Sequence, residues 1–517
     1  MKSWFASSLL WLAGEAAAAT PADVERCLDR ADLACAEAAV GSLGAGLDED
    51  LARARVAFRR GEFAEAERLL EGAARARPGD PDLAAELALA QATADAAEGL
   101  EVERRGDVEI RYEPGTDLVL VDEAFETLQA AHERVAPLLG GAPPGPIRLE
   151  IYPSARRFIA ASGLPAEAVN KTGVVALSKW NRLLLTSPRA LGRGYAWKDT
   201  VVHEYIHLVV AWQSHDRAPV WIQEGIARSH ETMWRTPEPA PPLPYAQSLL
   251  ARALRDDAFV PFEAFRQSMA YLESSEQAAQ AFAQVQTQVL FLRQEAGPAS
   301  IPKVLHEVRD GADAMDAVAR QTGRDWDGFY DAWKGSLAQS ALIAKQLAAM
   351  PVALGAAGDE YALDPVLADR RDLAGHARLG DLLREAKRLD AALVEYRKAV
   401  PEDEPAPPTL AARMGSALAE LGRTDEAIAL LEASVADYPE FALTRKTLGE
   451  LHLARGSRAD ALAHYRASCD VNPFDPAVQA ALADLYAAQG QPDLAARHAR
   501  YRRILDLGGR EPDGDDG

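Results

Sequence analysis

VVHEYIHLVVAWQ, Val201 to Gln213, sets two histidines and a glutamate inside an otherwise apolar run. Burying such groups is costly unless something satisfies them. Read as a helix, the segment puts His203 and His207 one turn apart, about 40° round the axis and ~6 Å along it. Their imidazoles then converge on one point, a spacing suited to two zinc ligands at ~2.1 Å. Glu204 projects beside that point, where it can touch a metal-bound water without holding the metal. Val201, Val202, Tyr205, Ile206, Leu208, Val209 and Val210 supply apolar bulk that excludes water and orients the ligands.

Two ligands are too few, because a catalytic zinc needs a third and one open position. APVWIQEGIARSHE, Ala218 to Glu231, offers Glu224, which follows His207 by 17 residues. Pro219 marks a turn, and a helix starting near Val220 would run antiparallel to the first and bring Glu224 to the histidine pair. Together, HEYIH and PVWIQEGIA resemble the gluzincin metallopeptidases, in particular the peptidase MA-like group, with its HExxH and downstream WxxEGxA.

That resemblance spans roughly residues 100–345 and implies a small mixed sheet beside the active-site helices. It also implies one Zn²⁺ held by His203, His207 and Glu224, with Glu204 as general base towards a zinc-bound water that attacks a peptide carbonyl. Gly225 suits close helix packing, and Trp221 is expected behind the third ligand. NRLLLTSP resembles the edge strand along which such enzymes pair substrate, so Leu183, Leu184 and Leu185 are candidate substrate contacts, with an ordinary sheet edge as the other reading. Gluzincins also place a Tyr or His beyond the third ligand to stabilise the oxyanion. QAFAQVQTQVLFL carries Phe282 where a Tyr is expected, which leaves Tyr271, Tyr245 and His230 as substitutes.

Outside this region the chain is helical. Gly422, Gly456 and Gly490 recur every 34 residues, as do Ala427, Ala461 and Ala495. This resembles the tetratricopeptide repeat (TPR), in which the small Ala lets two helices pack closely. A weaker unit with Ala392 and no turn Gly precedes them. Gly61, Ala66 and Pro78 mark a similar hairpin near the start. The predicted fold class is α+β, mostly α: a gluzincin-like domain with TPR-type α-hairpins at both ends. The expected division is a signal peptide at 1–19, a helical domain at 20–98, the metallopeptidase domain at 99–345, a linker at 346–371, a TPR array at 372–510 and a disordered acidic tail at 511–517.

MKSWFASSLLWLAGEAAAAT has the short basic start, apolar stretch and Ala-x-Ala site of an export signal, so a periplasmic or extracellular location is expected. In that compartment Cys27 and Cys35 can form a disulfide stapling a short hairpin, whereas Cys469 has no partner in sight. A net charge of −22 without a basic stripe argues against a nucleic-acid partner. No other segment has the length of a membrane span. The leading functional reading is an exported zinc peptidase acting on peptide or protein, with repeats that bind a protein partner. The competing one is a TPR scaffold whose metallopeptidase-like domain is weakly active or inactive, which Phe282 favours. Zinc-dependent hydrolysis of a non-peptide substrate is a third.

Overall fold

The computed structural model describes residues 19–266, 269, 272–349, 367 and 370–508. The expected signal peptide, most of the linker and the acidic tail therefore lie outside the described residues. The described chain is mostly helical, with one small mixed sheet.

Among the described residues five helices come first: α1 (Pro21–Asp29), α2 (Leu33–Val40), α3 (Leu47–Arg59), α4 (Phe63–Ala76) and α5 (Pro81–Ala97). Cys27 and Cys35 are joined as a disulfide across α1 and α2. Asp32 caps α2 by accepting from the Cys35 amide. Gly61 takes a φ of 79° in the tight turn between α3 and α4, where Ala66 is fully buried.

The sheet follows, interleaved with short helices: β1 (Glu101–Arg105), β2 (Val108–Tyr112), α6 (Leu118–Arg134), β3 (Ile147–Tyr152), α7 (Ala155–Ser162), α8 (Ala166–Thr172), β4 (Ala176–Lys179) and β5 (Arg182–Thr186). Its order is β1-β2-β3-β5-β4, with parallel β2–β3 and β3–β5 pairs inside two antiparallel outer pairs. This corrects the expectation for Leu183, Leu184 and Leu185. They lie on β5, an interior strand buried along its whole length, and the edge belongs to β4. A strand covered on both faces reads as a continuous apolar run, which is what LLL is. Trp180 and Asn181 both have positive φ in the two-residue turn that joins β4 to β5 and sets their register.

Next come α9 (Trp197–Ser214), α10 (Val220–His230), α11 (Pro244–Asp256), α12 (Phe262–Phe265), α13 (Ser275–Ala296), α14 (Ser300–Arg309), α15 (Ala314–Thr322) and α16 (Trp326–Gln339). The main core joins the inner face of the sheet to α6, α9, α10 and α13 to α16.

Last among the described residues come four helical hairpins: α17 (Arg371–Glu385) with α18 (Leu389–Lys398), α19 (Pro408–Glu420) with α20 (Thr424–Asp437), α21 (Ala442–Ala454) with α22 (Arg458–Cys469), and α23 (Pro476–Ala488) with α24 (Pro492–Asp506). Gly422, Gly456 and Gly490 have φ near 70–80° in the turns, and Lys387 takes a φ of 56° where the first hairpin lacks its Gly. The array is packed onto the rest of the chain. Tyr501 and Ile504 are buried in the main core, and the Val471 carbonyl accepts from the Tyr195 amide at 3.1 Å, just before α9. No described helix is long and apolar enough to cross a membrane.

Candidate metal centre

α9 is apolar round most of its circumference because the sheet, α6, α10 and α14 cover it. His215 and Asp216, both at positive φ, end it and turn the chain towards Pro219, where α10 begins. The hairpin brings together the three residues singled out from the sequence. His203 Nε2 and His207 Nε2 are 3.1 Å apart. Glu224 Oε2 is 3.4 Å from His203 Nε2, and Glu224 Oε1 is 3.6 Å from His207 Nε2.

Those three separations bear directly on a metal. Donors bound to zinc at ~2.0–2.1 Å in tetrahedral geometry stand roughly 3.3–3.4 Å from one another. Two imidazoles and one carboxylate are also a donor set that zinc takes in catalytic sites. The residues present fit the ion.

The surroundings hold the donors in place. Glu231 Oε2 accepts from His203 Nδ1 at 2.8 Å, which fixes the ring orientation and leaves Nε2 facing His207 and Glu224. Gln223 is hydrogen-bonded to His207, and its own amide donates to the Ala218 carbonyl at 2.7 Å. Gly225 lets α10 lie against α13, since a Cβ there would stand 2.7 Å from the Val285 carbonyl oxygen. Trp221 is 2% exposed and packs edge-on against Phe262 and Trp326.

Burial lowers the pKa of His203, but hydrogen bonds to Glu224 and Glu231 outweigh it and the net shift is upward. For His207 burial prevails, so its pKa falls and it stays neutral. Burial would raise Glu224, yet the adjacent histidines bring it down to about 2. Glu204 is 8% exposed, and burial pushes its carboxyl up to about 7, against the charge of His203. The backbone amide of Ser178 on β4 hydrogen-bonds that carboxyl, so the free sheet edge runs beside the general-base candidate.

The proposed oxyanion donors are not gathered here. His230 is fully buried, with Nδ1 3.0 Å from the Ile226 carbonyl and 2.8 Å from Ser229 Oγ, so it points into the core. Tyr245 packs against the Leu347, Tyr438 and Phe441 cluster, and its charged neighbours are Glu276 and Arg252. Tyr271 lies outside the described residues. Phe282 is partly buried on α13 and carries the guanidinium of Arg228 over its ring, 5.3 Å from the centroid.

Sequence reasoning missed Glu231, Arg228 and the β4 edge. Glu224, Arg228 and Glu231 are spaced i, i+4, i+7, one stripe of a helix, and that spacing was the available signal. The repeat array adds Glu440 to the electrostatic surroundings of Arg228 and Glu231.

No curated protein matches the chain. Among solved structures, MamA is 18% identical over 27% of this chain and 82% of its own, with a TM-score of 0.25. MamA from Desulfovibrio magneticus is 14% identical over 45% of this chain and 98% of its own, with a TM-score of 0.24. A thermophilic TPR protein of Thermus thermophilus is 23% identical over 26% of this chain and 75% of its own, with a TM-score of 0.23. The Peptidase MA superfamily model matches residues 127–339, the stretch that holds His203, His207, Glu224 and the strand edge beside Glu204.

Proposed function

We propose that this chain is an exported zinc peptidase whose repeat array binds a protein partner. The observation that carries the reading is the converging donor set. The two Nε2 atoms lie 3.1 Å apart and each lies 3.4–3.6 Å from a Glu224 carboxylate oxygen, close to tetrahedral spacing, with a buried glutamate next to the first ligand. The Peptidase MA superfamily match supports a peptide substrate. The signal-like N-terminal composition supports export.

His203, His207 and Glu224 would hold the ion. Zinc, when bound, supplies a Lewis acid that acidifies water and polarises a carbonyl. The chain's own residues do the rest. Glu204, buried beside His203, takes a proton from water at its carboxylate and returns it to the leaving amine. Glu231 keeps the His203 ring in one orientation. The unpaired side of β4 offers backbone groups for an extended peptide to pair with. The apolar flank of α9 keeps bulk water away from Glu204.

Zinc content and casein cleavage, measured for the wild type and for Glu204→Gln, test the proposal. One zinc per chain in both, with cleavage only by the wild type, is the expected result. Absence of zinc from the wild type refutes it. Phe282 favours a second reading, a scaffold with a silent metal site, for which zinc is retained and neither protein cleaves.

A further inference from the structure

The site as described is rich in negative charge, with Glu204, Glu224, Glu231 and the nearby Glu440 all around it. A cation faces it. Arg228 lies a single helical turn beyond Glu224 on the same face of α10. Its charge is felt by His203, Glu204, His207 and Glu224 alike.

Arg228 is also uncommitted. Its nearest carboxylate contact, Glu231 Oε1, is 3.9 Å away, beyond hydrogen-bond range, while Oε2 of that group is taken by His203. Its Nε is buried with no hydrogen-bond partner among the described residues. The side chain is 41% exposed, so part of the guanidinium reaches solvent space although Nε is buried. The position is nonetheless fixed. Phe282 lies under the guanidinium, and Gln286 on the same helix donates to the Arg228 carbonyl at 3.1 Å. A planar cation resting on an aromatic ring keeps its edge donors free.

We infer that Arg228 is a catalytic residue that stabilises the negative oxygen formed when water adds to the substrate carbonyl. The inference rests on the peptidase reading. It gives Phe282 a purpose: the residue that lacks a hydroxyl is the platform for the group that replaces it. As the water oxygen bonds to the carbonyl carbon, the C=O π pair moves onto oxygen and Glu204 takes the water proton. Guanidinium N–H groups then donate to that oxygen, where charge has newly appeared. Expulsion of the amine, with the proton returned from Glu204, restores the carbonyl.

The test uses the full-length zinc-loaded chain and its Arg228→Met and Arg228→Lys variants, with zinc content measured first. The probe is a peptide phosphonamidate, a stable tetrahedral anion, titrated by calorimetry beside steady-state cleavage of a matched peptide. Loss of one such donor typically lowers kcat by about 100-fold or more. For Arg228→Met we expect about that loss in kcat, a KM within about threefold, and phosphonamidate binding weakened by a similar factor. Arg228→Lys should fall between the two proteins, because it keeps the charge and loses the fork. Normal zinc content with unchanged phosphonamidate affinity in Arg228→Met overturns the role of Arg228 alone. A wild type without zinc overturns the peptidase reading and this inference with it.

Discussion

Gly225→Ala adds one methyl group where α10 meets α13, and the structure fixes what that group strikes. A Cβ at position 225 would lie 2.7 Å from the Val285 carbonyl oxygen and 2.7 Å from Val289 Cγ2. Ordinary contacts begin near 3.4 Å, so the helices must part by about 0.7 Å. The carbonyl cannot swing aside, because it accepts a hydrogen bond within α13. Glu224 is the preceding residue and moves with α10. Metal sites tolerate ligand displacements of only about 0.2 Å. Overpacking of this kind costs about 1–3 kcal/mol. We therefore expect a lower urea midpoint for the metal-free protein and zinc affinity weaker by at least about tenfold, equivalent to ~1.4 kcal/mol. Chelator competition and urea unfolding measure the two effects separately. Gly335→Ala in α16 is the internal control. A Cβ there meets nothing within 4 Å, so the substitution should stabilise by about 0.5–1 kcal/mol. A Gly225→Ala protein with wild-type midpoint and zinc affinity would show that close approach of α10 to α13 does not place Glu224.

Glu231→Gln should weaken zinc binding about 10–100-fold in the same competition assay, because it removes the carboxylate that orients His203; wild-type affinity would mean the ring is fixed by something else. His230 gives a pH dependence, since burial lowers its pKa from 6.5 to about 4. As pH falls, the unfolded chain binds this proton before the folded one does. The stability it contributes is therefore complete above pH 6.5 and is lost towards pH 4, by roughly 3 kcal/mol. Urea midpoints across that range should fall less steeply in His230→Gln, and parallel curves would contradict the assignment. Glu150→Ala should cost about 3–5 kcal/mol, because it strands the fully buried guanidinium of Arg182, 2.7 Å away. A midpoint shift worth less than about 1 kcal/mol would show that Phe58 and Phe63, stacked 4.7 Å from that guanidinium, suffice to hold it.

The parts of this structure that could be read from sequence are those whose signal lies within a few residues. HEYIH specifies its own geometry once the segment is helical, and the turn at Pro219 limits where Glu224 can return. The 34-residue spacing likewise located the hairpins of α19 to α24, because each turn Gly and each packed Ala belongs to a single hairpin. Failure came where the deciding partner is remote in sequence. Three leucines in a row look the same on an edge strand and on an interior one, and only the pairing of β5 with β3, across α7 and α8, makes it interior. EVERR alternates too weakly to mark β1, which is almost wholly exposed and is held by its hairpin with β2. His230 failed for a local reason that was already available. At i+6 from Glu224 it lies about 240° round the helix, whereas Arg228 at i+4 and Glu231 at i+7 lie within about 40° of it. Neither a Tyr nor a His occupies the stripe that helical periodicity marks, which carries Glu224, Arg228 and Glu231. Arg228 differs from the many solvated arginines of this chain only in what stands around it. Its neighbours Phe282 and Glu440 are 54 and 212 residues away. No local pattern carries that information, and the packing of α10 against α13 does.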